Sequence, residues 1–110
     1  MRILLDECLP KDLARELVGH VVKTVPQAGW ASISNGQLLR HIAASGNFDV
    51  FLTVDKRLHQ QNKVSALPFA IVVLRAKSNR VIHVFPFAPV ILRRLAEFQP
   101  GRTYVLTPPA

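Results

Sequence analysis

Two apolar runs in this chain end on a carboxylate. Arg2-Ile3-Leu4-Leu5 leads into Asp6 and Glu7, and Val50-Phe51-Leu52-Thr53-Val54 leads into Asp55, Lys56 and Arg57. Short aliphatic and aromatic runs of this kind read as buried strands, so each terminal acid is delivered to the edge of a sheet. If the two strands are neighbours, Asp6 and Asp55 share that edge although they lie far apart in sequence. Two carboxylates 4 Å apart repel by about 4 kcal/mol at an effective dielectric near 20. A divalent cation removes the conflict. Hard oxygen ligands suit Mg2+ or Mn2+, which take one or two carboxylates and complete their shell with water and substrate phosphate. Glu7 could join through water or point away.

Each acid also has a plainer reading as the cap of a turn. For Asp55 that reading is open, because residues 56–60 can begin a helical turn. For Asp6 it is weaker: Pro10 suits a first helical position, which makes Leu9 the cap and leaves Asp6 three residues too early. Cys8 reads as a small packing residue, with no neighbour in sequence to lower its pKa. His20, His41, His59 and His83 show no metal-ligand spacing. His59 stands out because Gln60, Gln61 and Asn62 follow it, a polar loop suited to a nucleic-acid backbone. Trp30 lies in a long loop, where it could stack on a base or close over the core. Neither a Gly-rich phosphate loop nor a nucleophile elbow is present.

The chain has 110 residues, 49% of them hydrophobic, which suits one domain over 1–107 with a short tail at 108–110. A single cysteine excludes an intramolecular disulfide framework and a thiolate zinc cluster, and fits a reducing cytoplasm. No apolar stretch approaches the roughly 20 residues of a membrane span, and the first residues run straight into a strand. A soluble, cytoplasmic protein without a targeting segment is expected. Fourteen Lys and Arg against seven Asp and Glu leave a formal charge of +7, which favours polyanionic partners, nucleic acid first, or an acidic partner protein.

The elements that must position the acids alternate. Leu9, Leu13 and Leu17 recur every four residues and predict a helix starting at Pro10; residues 21–25 form a second, weaker strand. Ser34 or Asn35 can cap a helix whose stripe is Leu38, Leu39, Ile42 and Ala43. After the 50–54 strand, residues 67–74 are the most apolar strand and belong near the middle of the sheet. Ser78 or Asn79 could cap a helix from Arg80 that Pro86 and Pro89 must break. Val90, Ile91, Leu92, Leu95 and Phe98 predict a helix from Pro89, and residues 102–107 a last strand. Exposed apolar residues between Val84 and Val90 could form a homodimer contact. Alternating strands and helices predict an α/β fold, a three-layer α/β/α sandwich with a mostly parallel sheet, and a ligand site outside the carboxyl ends of its strands. Asp6, Asp55 and Arg75 stand at such ends.

Taken together, Ile3-Leu4-Leu5-Asp6-Glu7-Cys8-Leu9-Pro10, Gly29-Trp30 leading into Asn35-Gly36-Gln37-Leu38-Leu39, Phe48 to Asp55, Gln60-Gln61-Asn62, Leu74-Arg75 and Ser78-Asn79-Arg80 resemble the PIN-like nuclease domains. The likeness is to a small branch described as toxin components of toxin–antitoxin systems. It implies a PIN-like central sheet and a ribonuclease site with Mg2+ or Mn2+ held by Asp6 and Asp55. Glu7 would join the catalytic set, with Thr53 in support and Lys56, Arg57, Arg75 and His59 on RNA. PIN domains usually contribute another acid from the central helix region, where this chain has Asn35 and Gln37, two neutral amides. An amide oxygen can ligate a metal but cannot serve as a carboxylate base. Cys8 stands where asparagine is common in this branch.

Three functions are therefore in play. The first is a metal-dependent ribonuclease, with RNA as substrate and an antitoxin protein as partner. The second is an inactive module of the same fold binding nucleic acid or protein. The third is a phosphoacceptor receiver domain, disfavoured because no Ser or Thr ends the 67–74 strand and no Lys follows the last strand.

Overall fold

The computed structural model describes residues 1–58 and 63–109. Within them the order is β1 (Arg2–Leu5), α1 (Leu13–Glu16), β2 (Val21–Thr24), α2 (Asn35–Ser45), β3 (Val50–Thr53), β4 (Ala70–Leu74), α3 (Val81–Val84), α4 (Phe87–Arg94), a 3-10 turn (Leu95–Glu97) and β5 (Thr103–Leu106). The strands pair in parallel as β2-β1-β3-β4-β5. Helices cover both faces, giving a three-layer α/β/α sandwich.

Strand periodicity decides which residue meets which layer. Ile3, Leu5, Val50, Leu52, Val72 and Leu74 face α1 and α4 through Leu13, Leu17, Phe87, Ile91 and Leu95. The alternate residues Leu4, Phe51, Ile71 and Val73 face Leu38, Leu39 and Ile42 of α2. Every residue of β3 and β4 is buried, because a parallel sheet covered on both sides has no face left for water. Each large side chain buried this way contributes roughly 1.5–3 kcal/mol, so stability resides in the layers. The loops at the strand ends are left for other work.

Several elements differ from the sequence reading. The Leu9, Leu13 and Leu17 repeat does face the core, but α1 is a single turn whose N-cap is Asp12, so Pro10 is not a first helical residue. Short-range bonds replace the missing turns: Leu13 N–H donates to Pro10 O, Ala14 to Lys11 and Arg15 to Asp12. β4 begins only at Ala70 and lies beside the central strand β3. α4 starts at Phe87, before the predicted Pro89; that proline falls in the first turn, where its lost N–H is not needed. In the segment expected to offer a dimer contact, Val84, Phe87 and Ala88 are buried in the core, whereas Pro86 and Pro89 are exposed. Just before it, Val81 and Ile82 of α3 are exposed, as are Met1, Val18, Val21 and Val105 elsewhere.

α2 is capped as read. The Ser34 hydroxyl accepts from Gln37 N–H at 3.3 Å, and Gly46 ends the helix in the left-handed region. Trp30 is half-buried, stacked on His41 and edge-on to Phe48, so it closes over the α2 layer. At the amino edge of the sheet Asp49 accepts from Arg2 N–H at 2.8 Å and pairs with its guanidinium. This pairing holds the Asp49 carboxyl below its ordinary range and accounts for one of the chain's few acids as structural. No helix among the described residues is long and apolar enough to cross a membrane.

The turn into β5 tests the backbone geometry. Gly101 has φ +76°, and a Cβ there would lie 2.5 Å from Ser65 O, whereas Gly19, at φ +89°, has open space around it. Gly101→Ala is expected to cost about 3 kcal/mol and Gly19→Ala about 1 kcal/mol, in urea unfolding with unchanged slopes. Equal costs would show that the close approach at Gly101 is not what the glycine serves.

Candidate active site

The β1–β3 register brings the site together. Leu4 pairs with Phe51 and Leu5 with Leu52, and Asp6 N–H extends the ladder by donating to Leu52 O at 2.9 Å. Two residues beyond Leu4 and Phe51, on the same face, come Asp6 and Thr53. The Thr53 hydroxyl, fully buried, donates to Asp6 Oδ2 at 2.7 Å and accepts from Asp55 N–H at 3.0 Å. One hydroxyl therefore joins the two acid-bearing loops. Here the chain turns from building β2 on one side of β1 to building β3 and β4 on the other, the reversal point at which open parallel sheets bind ligands.

Asp6 is 8% exposed, and its remaining donors are local. Glu7 N–H reaches Oδ1 at 2.8 Å and the Cys8 thiol reaches Oδ2 at 3.4 Å. Burial pushes the Asp6 carboxyl above its ordinary value, against the pull of the Thr53 hydroxyl, the Cys8 thiol and the Glu7 amide; the Glu7 charge adds to the rise. Burial and the Asp6 charge push the Cys8 thiol up to about 11, so at neutral pH it is a donor to Asp6 and not a thiolate nucleophile.

Asp55 is less buried than Asp6, and both of its oxygens are engaged. Its Oδ1 accepts from Arg57 N–H at 3.0 Å and lies 3.6 Å from Arg57 Nε, so the turn-capping role is real. Asn35, first residue of α2, donates its amide to Asp55 Oδ2 at 3.4 Å. Asn35 thus meets the site as a donor. Gln37, in the first turn of the same helix, makes no side-chain hydrogen bond to either acid. Glu7 turns to the following loop, where Oε1 accepts from Ser32 N–H at 3.2 Å and holds a residue whose φ of +63° is unusual for a side-chain-bearing residue.

Lys56 and Arg57 are exposed beside Asp55, and Arg75 is exposed just past the end of β4, at the same edge but without a bond to either acid. His59, with Gln60, Gln61 and Asn62, lies outside the described residues. Among those described, no group of three or more His, Cys, Asp and Glu is disposed to hold a metal. What is present is Asp6 and Asp55 at one sheet edge, joined through Thr53 at the Asp6 carboxylate and the Asp55 N–H, and Mg2+ sites use one or two carboxylates with water and substrate phosphate supplying the rest. Beside Asp6 opens a cleft of about 490 Å³ lined also by Glu7, Leu9, Lys11, Thr24, Pro26 and Gln27. Lys11, Thr24 and Gln27 were not legible as site residues, since nothing in their spacing ties them to Asp6; the β1–β2 pairing does.

Compared with protein-family models, curated proteins and solved structures, the chain matches none.

Two outcomes are expected from Thr53 and Asp6. Thr53→Val keeps the shape but removes the shared hydroxyl, and should cost about 1–3 kcal/mol while raising the Asp6 carboxyl further, as read by carboxyl 13C titration. Because Asp6 sits above its ordinary 3.8 in the folded chain, the native state binds more protons than the unfolded one between the two values. Stability on this account falls as pH rises through that window, and Asp6→Asn should lose that fall in urea titrations. An unchanged pH profile in Asp6→Asn would mean that the buried carboxyl carries no charge cost.

Proposed function

We propose that the chain is a metal-dependent ribonuclease of PIN-like type, acting on RNA phosphodiesters at the edge defined by Asp6 and Asp55. The observation that supports it most is the Thr53 hydroxyl bridge, which couples a buried carboxylate to a second acid-bearing turn at the reversal point of the sheet. A buried acid whose charge burial disfavours, with only neutral donors on its oxygens among the described residues, would be completed chemically by a cation.

Asp6 and Asp55 would hold Mg2+ or Mn2+; when bound, such an ion lowers the pKa of water and stabilises charge on phosphate oxygens. The chain's own groups do the positioning. Thr53 keeps the Asp6 carboxylate in place, and Asn35 orients Asp55 in the region where PIN domains usually carry an acid. Arg57, exposed and beside Asp55, can exchange the carboxylate for a substrate phosphate. Lys56 and Arg75 extend the positive edge along the RNA backbone. Glu7 acts here as a latch on Ser32, so its catalytic role reduces to the loop it holds. The charge of +7 suits an RNA substrate and equally an acidic antitoxin that restrains the enzyme in a cytoplasmic setting.

A second reading has its own observation. Both Asp55 oxygens already have partners, which favours a module of the same fold that binds RNA or a partner protein without cleaving it. Cleavage of a mixed-sequence RNA in Mg2+ or Mn2+ separates the two. Asp6→Asn and Asp55→Asn should each lower the rate by at least about 100-fold with the fold intact, and Glu7→Gln, which keeps the acceptor for Ser32, by less than about threefold. Added Mn2+ should raise the Tm of the native chain and leave that of Asp6→Asn unchanged. RNA binding with no cleavage and no Mn2+ effect would overturn the nuclease reading in favour of the module.

A further inference from the structure

We propose that the RNA backbone is bound on the β3–β4 side of the acids, by a strip in which Arg75, Lys77 and Arg80 continue from Lys56 and Arg57, and not across β1 and β2. This deepens the nuclease reading and rests on it for the point of cleavage; where the strand binds is argued from charge. Residues 56–96 hold eight Lys and Arg and no Asp or Glu, whereas the rest of the chain holds six against all seven acids. Asymmetry of this kind in a basic chain points to a nucleic-acid face.

The parallel sheet turns the asymmetry into a polarity along one edge, because all five strands end there. After β1 come Asp6, Glu7, Lys11 and Asp12, and after β2 no charged residue occurs before Arg40. After β3 come Asp55, Lys56 and Arg57. After β4 come Arg75, Lys77 and Arg80, with no acid between them. Register aligns the last two groups: Thr53 pairs with Val73, and Asp55 and Arg75 each stand two residues further on. Arg75 N–H donates to Leu106 O at 2.9 Å, so its backbone still belongs to the sheet. The strip starts beside Asp55 and leads away from Asp6 toward α3.

Arg75, Lys77 and Arg80 are exposed, and their side chains make no ion pair among the described residues. Their loop is nevertheless ordered. Ser78 Oγ accepts from Arg80 N–H at 3.1 Å and bonds His83 Nδ1 at 2.7 Å, while Arg80 O accepts from His83 N–H at 2.9 Å and Val84 N–H at 3.0 Å. The frame uses backbone and two uncharged partners, and the Arg80 side chain takes no part in capping α3. Three cations are thus presented on a loop that has little freedom left to lose on binding.

An acidic protein segment is the competing ligand, and the composition of the strip argues against it. Exposed ion pairs contribute little each, and protein affinity comes from aromatic and apolar anchors; residues 75–80 contain no aromatic side chain. Val81 and Ile82 are exposed just past the strip, a far smaller apolar surface than a protein interface uses. With RNA, each neutralised phosphate releases condensed counterions, so cations spread along a path suffice.

The test is fluorescence anisotropy of a labelled oligouridylate of about 12 nucleotides, without metal, with KCl varied between about 50 and 200 mM. Lys77→Gln and Arg80→Gln should each lower affinity at least about threefold and flatten log K against log salt by about 0.7, the value for one phosphate of a single strand. Lys23→Gln removes the same charge from β2, on the far side of β1, and should keep the native slope and an affinity within about 1.5-fold. Native slopes in Lys77→Gln and Arg80→Gln, or an equal loss in Lys23→Gln, would overturn the proposal. So would polyglutamate that displaces the RNA as well as unlabelled oligouridylate does, which would assign the strip to an acidic protein. If the strip binds RNA in a chain that cleaves none with Mn2+, the strip stands and the nuclease reading fails. If RNA is cleaved but the strip variants bind it as the native chain does, the strip fails alone.

Discussion

The hydrogen bond from the buried Thr53 hydroxyl to Asp6 Oδ2 is the contact on which the site depends. Without the Thr53 hydroxyl a carboxylate almost removed from water would lose its strongest neutral donor, and the Asp55 N–H would lose its acceptor. A polar pair in this position is expensive unless every member is satisfied. It is satisfied here, because Glu7 N–H and the Cys8 thiol take up what Thr53 leaves. The sheet creates the pair, and the pair then sets where both acid-bearing loops begin.

The same carboxylate shows how little the core asks of this edge. Two apolar layers, one against α1 and α4 and one against α2, carry the stability of the sheet. Nothing in them calls for an aspartate at position 6, which burial holds partly against its charge. Asp49 is the contrast: at the other edge an acid is lowered by a partner of opposite charge and ties β1 to β3. A structural acid has a cation of its own in the chain. Among the described residues Asp6 has none, and this difference sets it apart from the structural acids.

Asp55 is harder to classify, and its partners explain why. Its Oδ1 caps the turn at Arg57 while its Oδ2 receives Asn35, so it fulfils a local role and a site role together. Asn35 adds no charge to this edge, and its neutral amide donor steadies the Asp55 carboxylate. That arrangement lowers the electrostatic cost of assembling the edge, and it leaves fewer charges to attract a cation.

Much of this was legible in the residues themselves. Runs of apolar residues ending on Asp6, Asp55 and Arg75 carry strand ends in their composition, and the alternation of such runs with helical stripes dictates a parallel sheet covered on both faces. Local chemistry also marked the Ser34 cap and the Pro86 break. Pairing partners were another matter. Only the register of β1 on β3 sets Asp6 opposite Thr53, and only the adjacency of β1 and β2 draws Lys11, Thr24 and Gln27 around one cleft. Composition and periodicity record which face a residue occupies; strand order and register, which depend on how distant segments close into layers, determine the neighbour it meets there.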